Sequence, residues 1–124
     1  ESYNSNPLSL ESAILNYDKL ESKNSKKYLL LGDMLELGKH SKKLHQSMGP
    51  IINQTKIDKV FVKGNNVLSM FNLISKSKRG RILNNKSQII ELIKNDLNNN
   101  DYLMVKASNA TGFNKIINNL KGIK

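Results

Sequence analysis

The feature that most constrains this chain is the alternation of two hydrophobic periods. Short apolar runs, Tyr28-Leu29-Leu30-Leu31, Val60-Phe61-Val62 (ended by Gly64) and Tyr102-Leu103-Met104-Val105, read as strands of three to five residues, the first of them buried on both faces. Arg81-Ile82-Leu83 is a weaker fourth. Between them lie stripes at helical spacing. Leu10, Ala13, Ile14 and Tyr17 predict a helix over 8–21, started by Asn6 as cap and Pro7 at its first position. Leu44, Met48, Ile51 and Ile52 predict a helix over 40–53, in which Pro50 should kink the helix or start a second one at Gly49. Val67, Met70, Phe71 and Ile74 make a third stripe. Ile89, Ile90, Ile93 and Leu97 make a fourth, with Ser87 available as its cap, and Phe113, Ile116, Ile117 and Leu120 a fifth. Lys23 to Lys27 reads as a polar loop, and Asn98 to Asp101 as a polar turn. Strands alternating with helices mean βαβ units. The predicted class is therefore α/β, a Rossmann-like three-layer domain with a mostly parallel sheet flanked by helices.

Length and composition narrow this further. The 124 residues suffice for one domain and are too few for two. There are no cysteines, which removes disulfides, thiolate metal sites and cysteine nucleophiles together. No apolar run approaches the roughly 20 residues that span a bilayer, and no signal peptide is read in the chain. The chain opens on Glu1-Ser2-Tyr3-Asn4 without an initiator Met, as a piece cut from a longer protein would. The net charge of +10 invites a nucleic-acid partner. Against this, 18 of the 20 basic residues are Lys, scattered along the chain, and only Arg79 and Arg81 carry a guanidinium. Asn also occurs 18 times, so an AT-rich coding bias is the simpler source of the charge.

Ligands of open α/β sheets sit beyond the carboxyl ends of the strands. Three loops qualify: Glu1 to Asn6 (if a strand precedes it), Gly32 to Gly38, and Lys106 to Gly112. None carries a glycine-rich phosphate cradle, since neither G-x-x-x-x-G-K-[ST] nor G-x-G-x-x-G occurs. Asp33 and Glu36 are paired carboxylates that could orient a substrate amine or help hold a metal. Equally, Asp33 could cap a backbone turn while Glu36 stays solvated. His40 and His45, five apart, fall on different helix faces and suit capping or packing better than metal ligation. In Lys106-Ala107-Ser108-Asn109-Ala110-Thr111-Gly112, small residues would let the backbone approach a ligand, or Asn109 or Thr111 would simply cap the next helix. Methionines and aromatics on the stripes read as core.

Taken together, three motifs resemble those of the Mur ligase family. Glu1-Ser2-Tyr3-Asn4-Ser5-Asn6-Pro7 is similar to its D-S-Y-N-A-N-P. Gly32-Asp33-Met34-Leu35-Glu36-Leu37-Gly38, followed by His40-Ser41 and Leu44-His45, resembles G-D-M-x-E-L-G. Val105-Lys106-Ala107-Ser108-Asn109 is similar to V-K-G-S-[RN]. The resemblance covers the chain from Glu1 to the last helix and points to the branch that joins D-alanyl-D-alanine to UDP-MurNAc-tripeptide. It implies a C-terminal domain over 1–124, with the UDP-sugar domain and the central ATPase domain lying elsewhere. ATP and Mg2+ would be held mainly by that central domain, and this chain alone would be inactive. Carried over residue by residue, Glu1, Asn4 and Asn6 would line the nucleotide side. Ser108 and Asn109, with Lys106 nearby, would hold the dipeptide, and Asp33 and Glu36 would face the cleft. No catalytic residue and no metal ligand is expected in this domain, and it reads as a monomer that takes no nucleic acid and does not insert into membranes. The chain departs from the family pattern at Glu1 (for Asp), Ala107 (for Gly) and Pro50. The alternatives are a ligase of the same superfamily for another amino acid, or a basic α/β module for nucleic acid.

Overall fold

The computed structural model describes residues 7–21, 23–34 and 40–107. The order of elements is α1 (Pro7–Asp18), β1 (Lys27–Gly32), α2 (Ser41–Asn53), β2 (Lys59–Lys63), α3 (Val67–Phe71), a 3-10 turn (Lys76–Lys78), β3 (Arg79–Ile82), α4 (Lys86–Glu91) running into a π turn (Leu92–Asp96), and β4 (Tyr102–Lys106). The four strands form one sheet in the order β3-β2-β1-β4. Every pairing among them is parallel, as the alternating pattern predicts. Helices cover both faces of the sheet.

Residue parity along the strands sorts the core into two halves. Leu29 and Leu31 of β1 and Val60 and Val62 of β2 meet Leu10, Ile14 and Tyr17 of α1, Met48 and Ile52 of α2, and Val67, Met70 and Phe71 of α3. Tyr28, Leu30 and Phe61 point the other way, to Leu83 and to Ile89, Leu92 and Ile93 of α4 and its π turn. All six residues of β1 are buried. That is the burial of a central parallel strand, and each of its leucines contributes about 1.5–3 kcal/mol.

Four sequence expectations need correcting. Pro50 starts no second helix at Gly49, because α2 continues through it to Asn53. Pro50 is exposed, so the carbonyl that loses its intrahelical partner lies on the wet side, while Met48, Gly49 and Ile52 hold the dry side. Gly49 allows that packing, since a Cβ there would come within 2.8 Å of the Leu73 Cβ. Asn85, not Ser87, caps α4: its Oδ1 accepts from Gln88 N at 3.0 Å. The third helix stops at Phe71, and Ile74 reaches the core from the turn beyond it. Lastly, Lys27 is no loop residue. It opens β1 and is 2% exposed.

Lys27 shows where part of the positive charge goes. Its Nζ donates to the carbonyls of Asp18 (2.6 Å) and Leu20 (3.1 Å) at the end of α1, with Asp18 Oδ1 at 3.6 Å. Lys78 Nζ donates to the carbonyls of Thr55 and Ile57 just after α2. Arg79 Nε donates to Ile74 O and its Nη2 to Asn72 O after α3. Asp18 O lies in the last turn of α1, where carbonyls lack intrahelical partners and carry partial negative charge; the other acceptors lie in the loops just beyond the helices. Lys59 Nζ also donates to Ser77 O, so among the described residues four basic side chains serve the fold's own backbone.

Candidate functional site

The chain moves from β1 to β2 to β3 in one direction and then returns across the sheet to place β4 on the other side of β1. The strand order therefore reverses between β1 and β4. In open α/β sheets the crevice beyond the carboxyl ends at such a reversal is where ligands bind. Here those ends are side by side, with Leu31 opposite Lys106 in register on one flank and Gly32 opposite Lys63 on the other. The described rim consists of Asp33 and Met34 after β1, Gly64 to Asn66 after β2, and Lys106 and Ala107 at the end of β4.

Asp33 is the best-defined side chain there. Its Oδ1 accepts from Val67 N at 2.9 Å, and its Oδ2 accepts from Asn65 N and Asn66 N, both at 3.2 Å. The carboxylate thus satisfies the first amides of α3 and the turn before it, as a short acidic side chain does at a helix start. Gly64 makes room for it, having φ +137°, a conformation L side chains rarely adopt. Met34 is held from the other side: its amide donates to His45 Nε2 at 3.0 Å. His45 is buried on α2, and the ring nitrogen that accepts this bond carries no proton. His40 stands at the N-cap position of α2, exposed, with no side-chain cap hydrogen bond.

Lys106 is half-buried at the end of β4 and Ala107 is buried beside it. Glu1, Asn4, Asn6, Glu36, Ser108 and Asn109 lie outside the described residues. So the structure brings Asp33 and Lys106 to the same sheet end. Among the described residues no group of three or more His, Cys, Asp or Glu side chains could hold a metal ion. No described helix is long and apolar enough to cross a membrane.

Sequence reasoning missed the turn after β2. Nothing in Gly64-Asn65-Asn66-Val67 reveals that the amides of its last three residues donate to the carboxylate of a residue 32 to 34 positions earlier. Two further cavities lie away from this rim. One of about 590 Å3 adjoins the end of α1, lined by Asp18, Lys19, Leu20, Glu21, Lys23, Lys27 and Lys56. Another of about 300 Å3 lies between Tyr28, Phe61, Gly80, Arg81 and Asp96.

Comparison with known proteins agrees with this geometry. The chain is 31% identical over 125 residues to the UDP-N-acetylmuramoyl-tripeptide--D-alanyl-D-alanine ligase of Bacillus subtilis, a match covering 97% of this chain and 27% of that protein. It is 33% identical to the ligase of the same name from Buchnera aphidicola of Acyrthosiphon pisum, covering 97% and 26%. The chain thus spans about a quarter of the length of the curated relatives it matches. The crystal structure of MurF ligase from Thermotoga maritima in complex with ADP superposes with a TM-score of 0.74 at 23% identity, over 94% of this chain and 26% of that one. MurF from Acinetobacter baumannii gives 0.72 at 22% identity, over 96% and 26%. These two likenesses show the fold. The family model described as Mur ligase, glutamate ligase domain matches residues 2–109, and with a parallel sheet of this order beneath that match, the chain belongs to the Mur ligase C-terminal family.

Proposed function

We propose that this chain is the C-terminal domain of an ATP-dependent amide ligase that adds D-alanyl-D-alanine to UDP-MurNAc-tripeptide in peptidoglycan precursor synthesis. The observation that carries the reading is the strand reversal between β1 and β4. It gathers Asp33 and Lys106, one from each of two motif loops, at one end of the sheet. The names of the relatives, each a ligase for this dipeptide, supply the substrate class.

The chemistry sets what such a domain must do. ATP converts the tripeptide carboxylate to an acyl phosphate with release of ADP. The amine of D-alanyl-D-alanine attacks the acyl carbon, the C–N bond forms, the C–O bond to phosphate breaks, and the amine loses a proton. Water competes with the amine, so the domain contributes by presenting the dipeptide and closing over the reactants. In this reading Ser108 and Asn109 hold the dipeptide with Lys106 beside them, Glu1, Asn4 and Asn6 line the nucleotide side, and Glu36 faces the cleft. In this reading Mg2+ and most contacts to ATP belong to the central domain.

The test is phosphate release. The full-length ligase carrying this domain should release phosphate only when ATP, UDP-MurNAc-tripeptide and D-alanyl-D-alanine are all present, and the chain alone should release none. Release by the chain alone overturns the proposal. Preference of the full-length enzyme for a single amino acid overturns the dipeptide assignment.

A further inference from the structure

The recess of about 590 Å3 below the end of α1 opens at the amino ends of the strands, the end opposite the motif loops. Its walls come from the end of α1, the run into β1 and the loop before β2. They carry four lysines, Lys19, Lys23, Lys27 and Lys56, against Asp18 and Glu21. Hydrogen bonds between these segments hold the walls in place. Asp18 Oδ1 accepts from Lys56 N at 2.7 Å, and Asp58 Oδ2 accepts from Lys27 N at 2.8 Å. The recess is therefore formed before any ligand arrives, which lowers the cost of binding one.

Two of these charges are already met. Lys27 is buried with its Nζ against the carbonyls of Asp18 and Leu20, so it cancels the negative carboxyl end of α1, which would otherwise repel an anion. Asp18 Oδ1, besides accepting from the Lys56 amide, lies 3.6 Å from the same ammonium. Lys19, Lys23, Lys56 and Glu21 remain, all of them exposed. None of the four has an ion-pair partner among the described residues, where the pairs are Lys27 with Asp18 and Arg81 with Glu91 and Asp96. Three unmet ammoniums against one unmet carboxylate leave the recess two charges positive. The donor chemistry also selects. An ammonium is a compact point charge that suits phosphate oxygens from any direction, whereas a planar carboxylate is best held by a two-pronged guanidinium, and the recess has none. Three such cations around one recess match an anion that carries several charges along its length.

We propose that this recess is a binding site for an oligophosphate, a chain of linked phosphates either free or borne by a nucleotide, held by Lys19, Lys23 and Lys56. Its volume lies within the range of about 300–1,000 Å3 that small-molecule sites occupy. The exposed Leu20 side chain lines the same recess and gives apolar surface to whatever the phosphates are attached to. The site stands at the other end of the sheet from Asp33 and Lys106, and it does not depend on the ligase reading above.

The test is a titration of the 124-residue chain with tripolyphosphate at about 0.15 M salt, followed through its amide proton signals. Saturable shifts should gather at Lys19, Leu20, Glu21, Lys23 and Lys56. Lys23→Gln together with Lys56→Gln should weaken binding about tenfold, or roughly threefold for each exposed contact. Lys42→Gln together with Lys43→Gln removes the same charge from exposed positions near the start of α2, at the other end of the sheet, and should change the affinity less than about twofold. All four side chains are exposed, so the variants should keep the wild-type thermal midpoint. Equal weakening by the two pairs overturns the proposal, because it reduces binding to attraction by the net charge of +10. Shifts that never saturate, or that centre on other residues, overturn it too. Citrate, with three carboxylates, should bind at least about tenfold more weakly, and citrate binding as tight as that of tripolyphosphate overturns phosphate as the ligand class. A parallel titration with ATP separates the two sources. Tighter binding at the same amides assigns the recess to a nucleotide, and equal or weaker binding there assigns it to the phosphate chain alone.

Discussion

Replacing Lys27 by Met isolates the value of a cation that the core encloses. The Lys stem and the Met side chain are similar in length, so the apolar packing is largely kept. What disappears is the ammonium, with its bonds to Asp18 O and Leu20 O and its Coulomb contact to Asp18 Oδ1. Hydrogen bonds to a charged group contribute about 1.5–3 kcal/mol each, which gives a ceiling of about 3–6 kcal/mol. Two effects lower it. The ammonium no longer has to be stripped of water on folding. The adjoining cavity of about 590 Å3 also lets water reach the freed carbonyls. The net expected loss is about 2 kcal/mol, and for a chain of this length that lowers Tm by about 8 °C. Urea unfolding with an unchanged slope should report the loss as a lower midpoint. The loss should persist at about 1 M salt, where an exposed ion pair would be screened out. A change below about 0.5 kcal/mol, or one abolished by salt, refutes the reasoning.

Other perturbations probe separate parts of the fold. Burial pushes the Tyr17 hydroxyl, which donates to Tyr28 O at 2.7 Å, far above the usual tyrosine range, and burial raises Tyr28 as well. The unfolded chain therefore releases these protons first. Stability is whole below about pH 10 and falls above it, by up to about 1.4 kcal/mol per pH unit for Tyr17. Tyr17→Phe should cost about 1 kcal/mol at pH 7 and flatten that alkaline fall, both read from urea midpoints between pH 7 and 11. Gly80→Ala should cost about 1–3 kcal/mol, since its Cβ would lie 2.7 Å from the Phe61 ring; an unchanged thermal midpoint would contradict this. Pro50→Ala restores a helical amide at an exposed position and should stabilise by about 1–2 kcal/mol, with a loss of stability counting against the account of α2 given above.

The sheet was legible in the sequence because its two central strands are buried on both faces. Such strands read as unbroken apolar runs, and Leu29 to Leu31 and Val60 to Val62 announce themselves. β3 was the weakest of the four because its own residues are half-buried or exposed, with Leu83 just beyond it fully buried. The stop at Phe71 and the cap at Asn85 depend on individual hydrogen bonds that periodicity does not encode. At the site, the motifs located the strand ends, and Asp33 and Lys106 do share one end of the sheet. The seat of Asp33 was hidden because its amides are backbone groups on another loop, and a backbone donor leaves no mark on residue type. Lys27 was hidden for a related reason: its partners are carbonyls, so nothing complementary to it appears in the sequence.

The position of β1 in the middle of the sheet dictates an order of assembly. Its partner β2 begins 32 residues after Lys27, but Tyr102, which faces Lys27 across the other flank, comes 75 residues after it. During synthesis from the N-terminus, a chain that has emerged only as far as β3 can form three strands. Its most apolar strand then presents a bare edge, the kind of edge that recruits other chains. The wait for β4 is therefore the interval in which this domain is most prone to aggregate. A chain ended before Tyr102 should be held by chaperones or deposited as insoluble protein, rather than persist as a smaller version of the same fold.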